Sequence, residues 1–228
     1  FYTVNTTGCT IEDIQYAPLD MYSRGDNEQD FASGYRGHTV TNVTAIVTAA
    51  ASPTNLGFCY VQQPGRTSWA GVQLTGEIGN LNVGDSILIT SGDVAEFFGR
   101  TQITNARVTK LGAAKAPIQP MKVALATVNT DRFTAATEAY ESMLVRIEEN
   151  NLQVVDTMPD VNGESTRRFD WRVGTNPADP GNGIRIATGG WDANSHCSKY
   201  VPFINSERFR ASIHPEVSKV CVVLNGQK

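Results

Sequence analysis

The fold class of this chain is indicated most clearly by VGDSILITSGDVAEFFGRTQIT, residues 83–104. Residues 86–90 and 94–98 are rich in β-branched and apolar residues, as strands are. Gly99 then offers a tight turn, and the strand-like pattern resumes at Gln102. The stretch therefore predicts two antiparallel strands joined at Gly99, which favours a fold built mainly of strands.

The same strand pattern recurs upstream and supports a barrel. Strand-like segments with glycine-rich turns between them occupy residues 38–49, 57–63, 71–76, 86–98 and 102–111. Five strands of which the first is long predict a small closed barrel over residues 35–116. An Ala- and Pro-containing stretch, residues 112–121, marks its end. Residues 1–34 are predicted to form an N-terminal strand followed by an acidic loop segment.

The remaining chain, residues 117–228, shows the same strand pattern but with four strands instead of five. Strands are predicted over residues 143–155, 168–173, 183–188 and 209–224, and the best helical stretch, residues 134–140, is short. A barrel of this kind needs a fifth strand. We therefore predict an all-β protein of two tandem small barrels, the second completed by an N-terminal strand.

The two ends of the sequence together resemble one β-hairpin. A strand-like run leads into Asn225-Gly226, a strong hairpin signal, and residues 1–7 have the composition of the return strand. Pairing within one chain and pairing with a neighbouring chain both fit the sequence. Donation to a neighbour would be head-to-tail and could extend into an open filament. The predicted donor residues are Phe1, Tyr2, Thr3 and Val4, and the predicted acceptor residues are Val220, Val222 and Leu224.

Several segments resemble a known family. They are YRGHTVTNVTAIVTA (residues 35–49), GFCYVQQPG (57–65), AGVQLTG (70–76), residues 83–104 and YESMLVRIEE (140–149). These segments are similar to the OB-fold modules of secreted bacterial proteins, which occur upstream of extracellular nuclease domains and in bacterial surface proteins. The resemblance covers residues 35–155 and implies that both barrels are OB-like. It also implies a secreted accessory or structural module, because the nuclease domain itself has no counterpart here.

The composition excludes several classes of function. The chain has 228 residues, 40% of them hydrophobic, and a formal net charge of −4, so nothing draws it generally to nucleic acid or to an anionic membrane. No apolar run approaches the ~20 residues of a membrane-spanning helix. The three histidines are far apart and no nucleophile, phosphate-loop or zinc-protease motif occurs. We predict a protein that is not an enzyme. A first residue other than Met fits a processed product located outside the cell or at its surface.

The cysteines are widely spaced and show no zinc-ligand spacing. Two disulfides in an oxidising compartment are expected, with three pairings open, and four buried free thiols are the alternative. The candidates are Cys9, Cys59, Cys197 and Cys221.

One acidic loop is a candidate for a hard cation. Asp26, Glu28 and Asp30 supply carboxylate oxygens within a short segment, which is the ligand type that Ca²⁺ prefers. The spacing is not that of an EF-hand, and the sequence favours a solvated polar loop over a cation site. No other cofactor is expected.

Two functions follow. The leading prediction is a non-catalytic, secreted structural protein, a subunit of an extracellular filament or surface layer whose partner is itself. The alternative is an OB-fold module accessory to an extracellular nuclease, which binds nucleic acid or a glycan. Its groove would contain Phe58, Tyr60 and Arg100, since aromatic side chains stack on bases and cations hold phosphates.

Overall fold

The computed structural model describes residues 4–16, 32–50, 58–97, 99–128, 135–156, 171–179, 183–186 and 219–223. Strands dominate these residues, as the sequence predicts. The helices are α1 (Ile11–Gln15), α2 (Leu125–Val128) and α3 (Ala135–Glu138). The strands are β1 (Thr39–Val40), β2 (Val43–Ala49), β3 (Cys59–Gln62), β4 (Gly71–Glu77), β5 (Asp85–Phe97), β6 (Arg100–Ala113), β7 (Met121–Val123), β8 (Leu144–Glu148), β9 (Gln153–Asp156), β10 (Trp171–Gly174), β11 (Gly183–Ile186) and β12 (Lys219–Val223).

Five strands close into a barrel. β2 pairs antiparallel with β3, and β3 pairs antiparallel with β4. β4 lies parallel to β6, β6 pairs antiparallel with β5, and β5 returns to β2. A closed five-stranded barrel with these connections has the OB-fold arrangement. The predicted first barrel is therefore confirmed at the level of fold.

The β5–β6 hairpin is the longest ladder of the barrel. Phe97 faces Arg100 across the turn, and Gly99 has a φ of 72°, which a glycine adopts without a steric penalty. Register shifts between Ile89 and Ser91 and between Ser91 and Asp93 bend β5. The bent strand can therefore pair with β2 through one half and with β1 through the other.

A short N-terminal helix, α1, packs against the barrel core. Thr10 accepts a hydrogen bond from the Asp13 amide while the Asp13 carboxylate accepts one from the Thr10 amide, a capping box that begins the helix. Ile11 and Ile14 lie three residues apart, so they share one face and are fully buried in the core. Burial of a side chain of this size stabilises the fold by roughly 1.5–3 kcal/mol.

The second half contains two three-stranded sheets in the described residues. Their strand orders are β11-β10-β9 and β12-β8-β7. Residues 143–155, predicted as one long strand, form β8 and β9, which belong to different sheets. Residues 209–213 lie outside the described ranges. Closure of these sheets into a second OB-like barrel stays a prediction, as do the domain boundaries at residues 35 and 117.

A junction joins the barrel to the second half. Its core is a second hydrophobic cluster that includes Ala70, from the connection between β3 and β4, together with Met143 and residues of β8. No helix in the described part of the chain is both long and apolar enough to span a membrane.

Candidate assembly edge and ligand face

β12 is an outer strand of its sheet. Lys219 to Val223 pair antiparallel with Glu148 to Leu144 of β8, and β8 pairs on its other side with β7. Within the described ranges, β12 therefore has a strand on one side only. An outer strand presents backbone N–H and C=O groups that another strand can pair with. Val220 and Val222 belong to β12, whereas Leu224 lies outside the described residues.

The N-terminal segment contacts the barrel. The Thr41 amide donates to the Thr6 carbonyl, and the Gly8 amide donates to the Thr41 carbonyl, both over 2.8 Å, which gives a parallel bridge between Thr7 and Thr41. Val4 is partly buried against the barrel core. Pairing of the whole segment 1–7 with the C-terminal strand was expected. That expectation is corrected for Thr6 and Thr7, which have a partner in the first barrel.

The remaining donor residues are not placed by these contacts. Phe1, Tyr2 and Thr3 lie outside the described residues. The donor role of these three residues and of Val4 stays a prediction.

The outer face of β3 and β4 is the face that many OB folds use for ligands. Cys59, Val61, Val72 and Leu74 belong to the barrel core, so the alternate residues of both strands point outward. These outward residues are buried as well: Tyr60 is 5%, Gln62 3% and Gln73 2% exposed. This part of the surface is therefore covered in the folded chain.

Residues of the junction cover part of that face. The Gln62 Oε1 accepts a hydrogen bond from the Leu144 amide over 3.0 Å. The Trp69 amide donates to the Ala139 carbonyl over 2.6 Å, at a residue whose φ is 55°. Gly71 lies so close to the Ser142 carbonyl that a Cβ there would be 2.3 Å from it. A glycine is required at this contact because any side chain would overlap the backbone of the second half.

The predicted groove residues are only partly accessible. The rings of Phe58 and Tyr60 contact each other edge to face with centroids 5.6 Å apart. The Arg100 guanidinium lies 5.7 Å from the ring centroid of Phe97, and Arg100 is only 5% exposed. Phe97 itself is 45% exposed at the β5–β6 turn. Tyr60 and Arg100 thus offer little surface to a ligand, and an aromatic surface that the prediction omitted, Phe97, lies beside Arg100.

Three carboxyl groups lie at the junction, two of them buried and one, that of Glu96, half-buried. Glu96 belongs to β5, Glu138 ends α3, and Glu141 follows in the turn before β8. The Glu141 Oε1 accepts from the Gln15 Nε2 and from the Thr101 amide, each over 3.0 Å. Both Glu138 and Glu141 are at most 5% exposed.

Burial raises the pKa of all three groups, because it removes water from the charged form. The pKa of Glu138 rises to about 10, chiefly from burial and then from repulsion by Glu141 and Glu96. The pKa of Glu141 rises to about 8, from burial and the charge of Glu96. The pKa of Glu96 is also raised, because burial raises it by more than the hydrogen bonds from Ser33 and Thr101 lower it.

The predicted disulfides are not seen at the two cysteines whose side chains the structure describes. Cys9 and Cys59 are free thiols buried in the barrel core. Burial raises the pKa of Cys59 to about 12, so its thiolate is scarce at neutral pH. Cys197 lies outside the described residues, and only the backbone of Cys221 is described, in β12.

The predicted cation loop, Asp26, Glu28 and Asp30, also lies outside the described residues. In the part of the chain that is described, no cluster of three or more His, Cys, Asp or Glu side chains is arranged to hold a metal ion.

Comparison with known proteins adds one structure. No protein family and no curated protein matches the chain. An OB domain of a Methanosarcina mazei protein, solved by solution NMR, is similar over 36% of this chain and 78% of that domain, with 22% sequence identity and a TM-score of 0.28. The strand pairing described above defines the class: an all-β protein with one closed OB-fold barrel.

The junction was missed by the sequence analysis. Glu138 and Glu141 lie in the best helical stretch and the turn after it, where charged residues normally face solvent. One feature of the sequence could have indicated that the two glutamates are buried: the apolar run that begins at Met143, two residues after Glu141. An apolar segment so close to Glu141 indicates that this turn lies against a core.

Proposed function

We propose that this protein is a non-catalytic structural subunit that is secreted and assembles head-to-tail into a filament or surface layer. In this proposal, an N-terminal segment of one subunit adds a strand to β12 of the next. The observation that carries the proposal is the position of β12 at the outside of its sheet among the described residues, with β8 on one side. Strand addition satisfies the open backbone groups and gives affinity through main-chain hydrogen bonds.

The anchoring of the N-terminal segment suits a donor. The Thr41 amide donates to the Thr6 carbonyl and the Gly8 amide donates to the Thr41 carbonyl, and these two bonds hold the segment on its own barrel. Residues 1–3 precede Val4, which packs against its own barrel, and they include two aromatic side chains and a threonine, which favour strands. An anchored donor loses less conformational entropy on binding, because one end of the segment is already held.

The covered ligand face also supports a structural role. Tyr60, Gln62 and Gln73 are buried, so the barrel surface that OB folds commonly use for ligands is occupied by the chain's own residues. A barrel used in this way stabilises the junction with the second half. Such packing suits a rigid building block better than an open receptor.

Sedimentation velocity of the full chain tests this proposal. We expect a range of assemblies that collapses to a monomer when residues 1–3 are deleted, with an unchanged circular dichroism spectrum. A synthetic peptide of residues 1–7 should also shift the full chain towards monomers. Val83, an apolar side chain 65% exposed on the barrel, provides the control: Val83→Ser should leave assembly intact. Monomers in every sample, or assemblies that survive the deletion, would contradict the proposal.

A second candidate function is the binding of single-stranded nucleic acid or of a glycan, favoured by the exposed Phe97 beside Arg100. Loops at this position bind oligonucleotides in other OB folds, and each base stacked on an aromatic side chain is worth about 1–3 kcal/mol. Fluorescence anisotropy with a labelled oligothymidine at low salt would detect it. Phe97→Ala should then weaken binding about tenfold, while Leu111→Ala, at an exposed position of β6, should not. Absence of binding at low salt removes this candidate.

A further inference from the structure

Two buried carboxyl groups, Glu138 and Glu141, and the half-buried Glu96 connect elements from both halves of the chain. Glu96 lies on β5 of the barrel, whereas Glu138 and Glu141 lie directly before β8. We propose that these three groups form a proton-operated latch, which holds the segment 138–144 against the barrel while the cluster is protonated and releases it at alkaline pH. Neither the structural role nor the ligand-binding role requires such a device.

Hydrogen bonds show how the latch is held. Glu141 receives hydrogen bonds from Gln15 of α1 and from the Thr101 amide of β6, so one carboxyl oxygen connects three elements. The Thr101 hydroxyl donates to Glu96 over 2.8 Å, and the Ser33 amide donates to the same oxygen over 3.0 Å. Thr101 therefore contacts both Glu96 and Glu141. A change in the charge of one carboxyl group is felt by the whole cluster.

The charges that face the cluster do not balance. Arg36, in the loop before β1, acts on Glu96, and Arg100, on β6, acts on Glu141. From α1 the cluster receives the neutral Gln15, and from the loop at Ser33 a neutral amide. Arg36 is exposed and Glu96 half-buried, so the buried part of the cluster holds two carboxyl groups, Glu138 and Glu141, and one guanidinium, that of Arg100. If both carboxyl groups ionised, one buried negative charge would be unpaired.

Two polar atoms of the cluster lack partners among the described residues. They are the Glu141 Oε2 and the Arg100 Nε. A protonated Glu141 or Glu138 relieves the excess negative charge without any movement of the backbone. If Glu138 and Glu141 are both ionised, their carboxylates need water. In our proposal they reach it because the segment 138–144 moves away from the barrel.

The direction of the pH effect follows from the raised pKa values. The carboxyl groups have a pKa near 4.5 in the unfolded chain, whereas in the fold the pKa is about 8 for Glu141 and about 10 for Glu138. Between pH 4.5 and about pH 10 the folded state binds more protons than the unfolded state, so the free energy of unfolding falls as the pH rises. This contribution is fully present below pH 4.5 and is lost as pH passes through the folded pKa values. The latch therefore opens first when Glu141 ionises.

Hydrogen exchange of the full chain, followed by mass spectrometry between pH 6 and pH 9.5, tests the latch. Peptides covering residues 63–71 and 138–144 contain both sides of the junction. The reference at each pH is Glu138→Gln/Glu141→Gln, because glutamine retains the acceptor oxygen and carries no charge. We expect wild-type protection in these peptides to fall at least tenfold relative to this reference. Glu77→Gln, at a glutamate whose side chain is 82% exposed, is the matched control and should follow the wild type.

Parallel exchange in wild type and reference across the whole range would overturn the latch. If the double variant does not fold, carboxyl ¹³C chemical shifts of the wild type decide the question independently. Two glutamate carboxyl groups titrating above pH 7 support the proposal. Titration of every glutamate below pH 6 overturns it.

Discussion

Gln62 on the outer face of β3 accepts a hydrogen bond from the amide of Leu144, the first residue of β8, with 3.0 Å between the Oε1 and the nitrogen. Gln62 is only 3% exposed. A side chain on the barrel thus satisfies a backbone group of the second half. The contact makes the outer face of β3 an internal surface of the protein, and it defines where the two halves meet.

Gln62→Ala should destabilise the chain. It leaves the Leu144 amide without its acceptor in a buried place, which costs about 1–3 kcal/mol. Urea denaturation followed by circular dichroism measures the change. Gln102→Ala is the control, because Gln102 is half-buried on β6, which β4 separates from β3. Equal effects of the two variants would show that the contact to Leu144 contributes nothing specific.

Gly71→Ala should separate the halves or prevent folding. The added Cβ would lie 2.3 Å from the Ser142 carbonyl and 2.5 Å from the Met143 nitrogen, and backbone atoms cannot move aside cheaply. We expect a loss at the upper end of the about 1–3 kcal/mol that overpacking costs. Gly34→Ala is the matched control, since nothing lies within 4 Å of its Cβ position. Wild-type stability of the Gly71 variant in urea would refute the close approach.

Cys9 and Cys59 should be unreactive in the folded protein. Both thiols are buried, and burial raises the pKa of each. Iodoacetamide at pH 8, followed by peptide mass spectrometry, should leave both unmodified without denaturant and modify both in guanidinium chloride without any reductant. Protection that persists in denaturant until a reductant is added would mean that these cysteines form disulfides.

Asp85 should be important for the turn that starts β5. Its Oδ2 lies 2.7 Å from the Lys110 Nζ and accepts from the Asn82 amide over 2.7 Å. These contacts lower the pKa of Asp85, the hydrogen bond from Lys110 first. Asp85→Asn should lower the melting temperature at pH 7, and the difference from wild type should shrink as the pH falls through the lowered pKa of Asp85 and the wild-type carboxyl group takes up its proton. Asp179→Asn, at an exposed residue after β10, provides the control. A difference that is constant with pH would rule out an effect of the charge.

The barrel could be predicted from sequence because its signals are local. Alternating residues and the turn at Gly99 locate β5 and β6 without reference to the rest of the chain. The strand predicted over residues 38–49 is divided into β1 and β2 at Asn42, whose φ of 58° only a few residue types adopt readily. α1 was missed although Thr10 and Asp13 have capping-box spacing, since its apolar face contains only Ile11 and Ile14.

The junction could not be predicted in the same way. Glu138, Glu141 and Gln62 are residue types that normally face solvent, and their burial depends on partners that are distant in sequence. The position of Thr6 and Gly8 beside Thr41 is likewise a long-range contact. The composition of a segment can predict that it forms a strand, but it does not predict which other strand it pairs with.

Cryo-electron microscopy of the untagged protein is the most direct test of head-to-tail strand donation. The account predicts filaments in which density for a strand from the neighbouring subunit lies along β12, on the side opposite β8, and continues into that neighbour's residues 4–8 on its own barrel. Filaments should be absent when residues 1–3 are deleted. Dispersed single chains, or filaments in which β12 touches no donated strand, would contradict it.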